Sequence, residues 1–398
     1  MDVTSLRALL EPTGQRLLTA ATDSAPTPAT LMQHGDRLRK HYPPELVPVA
    51  LAQVLLRQKA KAKFAQADVM YFTRELLEMA TSEPVAAHRA ARFARYGIVL
   101  DLCCGLGGDA LALSRVGCRV VAWDTDRLAV ELCAANAAAL GYDVNVVLHD
   151  AMKDDFPQIE ATFADPARRH DGRRHLTLAD YQPSPVELMA RFQPTHPLAI
   201  KMAPGVRVEE VDVLGGELEF VSLDGELKEA VLWVGEFVSC RRRASLLTEE
   251  GTRTLTDDGS RTLPELGAIQ TYLYDPDPAV VRAGLVPKLA NLLNATQTDG
   301  LVQLLTTNEV ASTPFGTAYR VEEVLPMDIK RISTACQARG IGRVTIVNRG
   351  SLAVMNEVQR KLKPRGGDHR HLILTRQLGQ QVAVLAEKVE AVTSRHPQ

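Results

Sequence analysis

Four aspartates, Asp101, Asp124, Asp150 and Asp165, stand at or just past the ends of short aliphatic or β-branched runs. The first run lies in the string V-L-D-L-C-C-G-L-G-G, Val99 to Gly108. A strand there opens onto a turn carrying Gly105 and Gly107, and a helix is expected over Asp109 to Val116. Glycine lets backbone approach a ligand and adopt φ > 0, and the helix start offers free N–H groups. A second strand, Arg119 to Trp123, closes on Asp124, an acid suited to the two hydroxyls of a ribose. The third, Val144 to Leu148, leads into His149-Asp150, where a carboxylate can accept from an adenine amino group. A fourth, Ala161 to Ala164, opens onto Asp165-Pro166-Ala167-Arg168-Arg169. Together these pieces describe a nucleoside-binding βαβ unit with a reactive loop beside it.

What is missing narrows the nucleoside. A dinucleotide fingerprint needs G-x-G-x-x-G, but Gly108 here is followed by Asp109, and no Gly-Lys-Ser/Thr ends a phosphate loop. Asp101 would repel a pyrophosphate. It suits a ligand with a cationic amino-acid end, as S-adenosylmethionine (SAM) has. Four strand ends with the right chemistry in order outweigh any one Gly-rich turn; the alternative is a Rossmann-like domain for another nucleotide.

At 398 residues the chain exceeds one ordinary domain, and 45% hydrophobic content is enough for sizeable cores. The net charge of −2 announces no nucleic-acid partner globally, so any such signal is local. Cys103, Cys104, Cys118, Cys133, Cys240 and Cys336 form no C-x-x-C pair. They read as small apolar residues of a reducing compartment, with no metal site expected. Neither a signal segment nor a membrane-spanning run is found, so a cytoplasmic protein is expected. The sequence leaves the oligomeric state open.

Along the chain, residues 1–95 read as a helical region, with periodicity over Leu46 to Lys63 and Thr73 to Ala80. Thr73 and Ser82-Glu83-Pro84 are helix starts. Arg57, Lys59, Lys61 and Lys63 form a basic face, either a phosphate-docking surface or a solvated helix side. Residues 96–245 carry the βα alternation, with a helix over Pro185 to Phe192 and a strand over Leu198 to Met202. Strands at Leu218 to Leu223 and Ala230 to Val234 follow as a hairpin. The acidic stretch Glu209 to Glu229 is expected at an edge turned away from nucleic acid. Residues 246–268 read as a linker, and 269–390 as an α+β domain. Between Lys330 and Arg376 basic residues abound, including Arg360, Lys361 and Lys363, against only Glu357 and Asp368. That is the footprint of an RNA-binding arm, or else a basic domain that merely balances the acidic one. Without Phe, Tyr or Trp there, backbone or shape recognition is expected rather than base stacking.

The order of Asp101 to Gly108, Asp124, Asp150 and Asp165 to Arg169 resembles the class I SAM-dependent methyltransferases. Further strings narrow this: Lys61 to Phe64, Phe72-Thr73, Arg89-Ala90, Ile200 to Gly205, Tyr319-Arg320-Val321, Asn348-Arg349-Gly350 and Leu374-Thr375-Arg376. They look like bacterial SAM-dependent methyltransferases with a C-terminal THUMP-like domain, distant relatives of the RNA cap guanine-N2 (trimethylguanosine synthase) type. The resemblance implies a seven-stranded Rossmann-like sheet, a helical N-terminal extension, an α+β THUMP-like domain, SAM as cofactor and methylation of an RNA base nitrogen.

On that resemblance Asp101, Gly105, Gly107, Asp124 and Asp150 hold the cofactor, and Thr73, with Phe72, lines its entrance unless it only caps a helix. Asp165 orients the acceptor nitrogen, Pro166 shapes the loop, and Arg168 or Arg169 contacts substrate, as do Arg360, Lys361 and Lys363. Cys103 stands where the family usually has glycine. Enzymes of this kind that act on exocyclic amines carry D/N/S-P-P-aromatic at the fourth strand; here alanine replaces the second proline and arginine the aromatic. A guanidinium can stack on a base or clamp a phosphate. Two other readings stay open: a methyltransferase for DNA or a small metabolite, and a non-catalytic protein that binds SAM and RNA.

Overall fold

The structure, a computed structural model, describes residues 1–168, 177–192, 196–259, 262–351, 355–362 and 366–389, with the side chains of 355–357 outside that set. It divides into two compact units, residues 1–218 with 229–239, and 219–228 with 240–398.

The first unit opens with α1 (Val3–Leu10), α2 (Pro12–Asp23), α3 (Leu31–Leu38), α4 (Val47–Ala60), α5 (Arg74–Met79) and α6 (Glu83–Ala91). The βα alternation follows as β1 (Ile98–Leu102), α7 (Gly108–Arg115), β2 (Arg119–Asp124), α8 (Arg127–Leu140), β3 (Val144–Leu148) and β4 (Ala161–Ala164). Next come the short pair β5 (Ala167–Arg168) and β6 (Tyr181–Gln182), α9 (Pro185–Phe192), β7 (Leu198–Met202), α10 (Val208–Asp212), and the hairpin strands β8 (Glu217–Leu223) and β9 (Glu226–Val234). The sheet order is β3-β2-β1-β4-β7-β9-β8. Its first five strands are parallel, and β9 is antiparallel to β7.

Local sequence explains these elements. Val99, Leu100 and Leu102 are wholly buried because helices cover both faces of a parallel sheet. Helix α8 starts where the Asp126 carboxylate accepts the Leu128 N–H at 2.8 Å, and stops at Gly141, whose φ of 74° lets the chain turn. The helical region shares a core with this fold: Leu6, Leu17, Leu46 and Val54 pack with Leu132 and Ala135 of α8. The helical region and the sheet thus form one compact unit.

In the second unit the far end of the β8–β9 hairpin is extended by β10 (Arg242–Thr248) and β11 (Gly251–Thr256). The expected linker over 246–268 is thus partly a β-hairpin, held by buried Ala244, Leu246, Leu247 and Leu255. After it come β12 (Tyr272–Pro276), α11 (Pro278–Arg282), α12 (Val286–Leu293), β13 (Thr296–Asp299), β14 (Val302–Thr307), β15 (Gly316–Pro326), α13 (Ile329–Ala338), β16 (Ile341–Asn348), α14 (Met355–Lys361), β17 (Asp368–Gln377) and β18 (Gln380–Lys388). Their order is β13-β14-β12-β15-β18-β17-β16, with β16 and β17 the parallel pair.

Two charge patterns differ from expectation. Of the acidic stretch, Glu209, Asp224 and Glu226 are exposed but Glu217, Glu219 and Glu229 are buried: Glu217 pairs with Arg92 at 2.6 Å, Glu219 accepts the Ser245 hydroxyl at 2.5 Å, and Glu229 pairs with Arg89. The basic face of α4 is divided between inward bonds and exposed ion pairs. Arg57 donates to the Met70 carbonyl, Lys63 to those of Leu77 and Ala80, while Lys59 and Lys61 pair with Glu78 and Asp68.

Candidate active site

Asp101, Asp124, Asp150 and Asp165 come to the carboxyl ends of four neighbouring parallel strands, β1, β2, β3 and β4. Asp101 sits level with Ala122 of β2 and Phe163 of β4. The chain order reverses between β1 and β4, where open α/β sheets bind ligands. Each acid meets a different environment there.

Asp101 is fully buried, and neither carboxylate oxygen has a hydrogen-bond partner. Burial pushes its pKa well above the ordinary range; Asp109, Cys133 and Asp165 add to this and Arg89 opposes it. A carboxyl in that state is costly unless a cation meets it, so the ammonium end of SAM fits. Asp124 is tied to the Gly-rich turn: one oxygen accepts the Gly105 N–H at 3.0 Å, the other the Asp126 N–H at 2.9 Å. Its pKa is raised by burial against those two bonds. Since each carboxylate oxygen has two lone pairs, acceptor capacity for a ribose diol remains. Asp150 is busier. Lys153 binds one oxygen at 2.7 Å and the Met152 N–H the other at 2.9 Å, and these bonds lower its pKa.

The turn itself is demanding. Gly105 and Gly107 have φ of 56° and 94°, and a Cβ at Gly107 would lie 2.8 Å from the Cys133 sulfur. Cys103 also adopts a positive φ, 61°, a conformation costly for any residue but glycine. The departure from glycine sets the thiol near the Ala167 backbone of the loop after β4.

That loop is braced twice. Pro166 is buried, and Ala167 and Arg168 pair with Gln182 and Tyr181 in the β5–β6 ladder. Tyr181 in turn accepts the Ala203 N–H at 2.8 Å through its hydroxyl. Arg168 is exposed, and Arg169, the other substrate-contact candidate here, lies outside the described residues.

Sequence reasoning missed a buried charge network behind Asp165. Lys201 at the end of β7 places its ammonium 2.6 Å from Asp165 Oδ2 and 2.8 Å from the Thr81 hydroxyl. Arg89 binds both Asp109 and Glu229 and lies over the Phe163 ring, 4.5 Å from its centroid. The available signal was a lysine inside the apolar string Leu198-Ala-Ile-Lys-Met202, next to the strand that carries Asp165.

Thr73 caps α5, its hydroxyl accepting the Leu76 N–H at 3.1 Å. With Phe72 it faces a cleft of about 810 Å³ whose lining includes none of the four acids. Two buried amides missed by sequence reasoning fix this segment. Gln53 binds the Phe72 backbone, and Asn136 binds Tyr71 and, at 2.9 Å, the Leu106 carbonyl of the Gly-rich turn. Arg360 and Lys361 are exposed on α14, while Lys363 lies outside the described residues. Within the basic stretch, Arg339, Arg349, Arg370 and Arg376 pair with Glu323, Asp275, Glu322 and Asp299, acids that lie outside it.

Comparison with known proteins agrees with this geometry. A methyltransferase-domain model matches residues 99–165, a THUMP domain-like model residues 316–388, and a domain of unknown function residues 2–60. Two proteins from strains of Mycobacterium tuberculosis, both described as uncharacterized S-adenosylmethionine-dependent methyltransferases, are each 33% identical over 346 residues, 83% of this chain and 92% of theirs. A crystal structure described as a putative methyltransferase from Porphyromonas gingivalis shares the fold, with a TM-score of 0.77 over 94% of this chain and 99% of that one at 21% identity. With acids, turn and kinship in agreement, the chain belongs to the SAM-dependent methyltransferases, built on the class I fold with a THUMP-like domain towards its C-terminus.

Proposed function

We propose that this methyltransferase acts on a base nitrogen of RNA, and that the acid row divides the work. When bound, SAM supplies an electrophilic methyl group. Asp101 receives the ammonium end, Gly105 and Gly107 let the backbone lie close, Asp124 takes the ribose, and Asp150 the adenine edge. Lys201 holds Asp165 by Oδ2, leaving Oδ1 to accept an amine N–H and so aim the nitrogen lone pair. Pro166 and the β5–β6 ladder keep that oxygen in place, and Arg168 and Arg169 reach the substrate. Most of the rate in such a displacement comes from positioning. The observation that carries the reading is the Asp165–Lys201 pair at the strand end beside the unpartnered Asp101. The RNA assignment is supported by the THUMP-like match and by the exposed cations Lys330, Arg331, Arg343 and Arg360. Tritiated methyl transfer from SAM to total RNA, followed by nucleoside analysis, tests it; label appearing only on DNA or a metabolite would overturn it.

Asp101→Asn carries a prediction with two readouts. The buried acid holds its proton where the unfolded chain has lost it, so the free protein loses stability as pH rises above the ordinary carboxylate value, about 3.9. Asparagine removes that loss, and thermal melts of the ligand-free variant between pH 5 and 8 come out flatter. Calorimetry shows the opposite cost: SAM affinity falls roughly 30- to 150-fold, about 2–3 kcal/mol for one charge-assisted contact. Unchanged affinity would remove Asp101 from the cofactor site.

Charge reversal at Arg360 and Lys361 is expected to weaken RNA binding and lower the salt slope by about two. An unaltered slope in a salt titration would take α14 out of the interface.

A further inference from the structure

In the second unit α13 and α14 cover one face of the seven-stranded sheet, where Ile332, Cys336 and Leu362 meet Leu372, Leu374, Ala383 and Leu385. Side chains alternate along a strand, so the neighbours of those residues point to the opposite face. The register sets six of them side by side. Arg343 pairs with His369 and Thr345 with His371 on β16 and β17, and Lys388 of β18 pairs with Tyr319 of β15. The His369 and His371 rings lie 5.2 Å apart, and the Tyr319 ring is 5.2 Å from that of His371. Thr345 Oγ1 is 2.8 Å from His369 Nε2 and fixes that ring.

The two histidines are half-buried, whereas Arg343, Thr345 and Lys388 are exposed. Positions of β16, β17 and β18 that share this face carry no carboxylate among the described residues. Asp275, beyond Tyr319, is bound by Arg349 at 2.8 Å. Burial, with His369 and Lys388 close by, holds His371 below the ordinary histidine value, so its ring is neutral at pH 7.

Most of this face is closed by a buried cluster that includes Tyr319, Ile373, Val384 and Ala386, but its end keeps two half-exposed rings flanked by cations, which is what single-stranded nucleic acid uses: bases stack on the rings and phosphates meet the cations. We propose that this face receives an unpaired stretch of RNA, its bases on His369 and His371 and its phosphates on Arg343 and Lys388. The proposal rests on the RNA reading of the enzyme and adds a base-stacking mode to it. Counting only Phe, Tyr and Trp between Lys330 and Arg376 hides this site, because its rings are two histidines, with the buried Tyr319 packed behind His371.

The test uses the full chain, with fluorescence anisotropy of a labelled oligouridylate and of an RNA duplex at low and moderate salt. Replacing both histidines by alanine is expected to weaken oligouridylate binding about tenfold and leave duplex binding in place. Replacing both by phenylalanine keeps rings and bulk, controls for folding, and restores single-strand affinity. Arg343→Gln with Lys388→Gln lowers the salt slope for oligouridylate by about 1.4. If the alanine pair binds oligouridylate as the parent does, the platform is overturned while the RNA reading stands. Should the parent bind neither RNA, the RNA reading fails and the platform with it.

Discussion

Asp165→Ala is expected to lower methyl transfer at least a hundredfold while SAM affinity stays within about threefold, roughly 0.7 kcal/mol. The asymmetry comes from placement. The Asp165 backbone is anchored to β1 by its N–H on the Leu102 carbonyl at 3.1 Å, and its carboxylate is held by Lys201. Burial alone would depress the Lys201 ammonium, but Asp165, Asp109 and Glu229 raise its pKa above the ordinary lysine value. The Lys201 ammonium therefore stays charged where it meets Asp165 Oδ2. Removing the carboxylate leaves Asp101 and Asp124 in their places and takes away the group proposed to aim the acceptor. Single-turnover rates beside calorimetric SAM affinity read the two effects separately. A variant that turns over within fivefold of the parent would show that something else orients the nitrogen.

The largest loss of stability is expected from Arg89→Met. The Arg89 side chain is 3% exposed and binds two carboxylates, Glu229 at 3% and Asp109 at 12% exposure. Removing one partner of a buried pair costs about 3–5 kcal/mol because the remaining charge is stranded. For a unit of this size that is roughly 6–20 °C in melting temperature. Methionine keeps much of the volume over Phe163, so the loss reports charge more than packing. The double variant Arg89→Met with Glu229→Leu is expected to recover part of it, since one stranded acid is gone. A fall of under about 2 °C by calorimetry would mean the network contributes no net stability.

The parts of this molecule that could be read from the chain are those with local causes. Strands β1, β2 and β4 announce themselves because a strand buried on both faces is a continuous apolar run, punctuated here by the acids and glycines of the candidate site; the edge strand β3 shows instead through its β-branched valines. Helix α8 is framed by Asp126 and Gly141, whose chemistry is fixed within a few residues. What escaped depends on partners far along the chain. Arg92 meets Glu217 across 125 positions and Arg89 meets Glu229 across 140. A run of glutamates or lysines looks solvated until such partners are known, and so the burial of Glu217, Glu219 and Glu229 and the inward bonds of Arg57 and Lys63 were hidden, while Glu226, Lys59 and Lys61 are exposed as such runs usually are. Strand β10 hid behind Arg241-Arg242-Arg243, although its apolar residues are buried.

Cys103 has a chemical implication of its own. A sulfur at the rim of a methyl-donor site is a competing nucleophile, but only as the thiolate. Burial first, then Asp124, Asp165 and Asp101, keep that proton bound far above neutral pH. At neutral pH the thiol beside the loop after β4 is therefore in its weakly nucleophilic, protonated form.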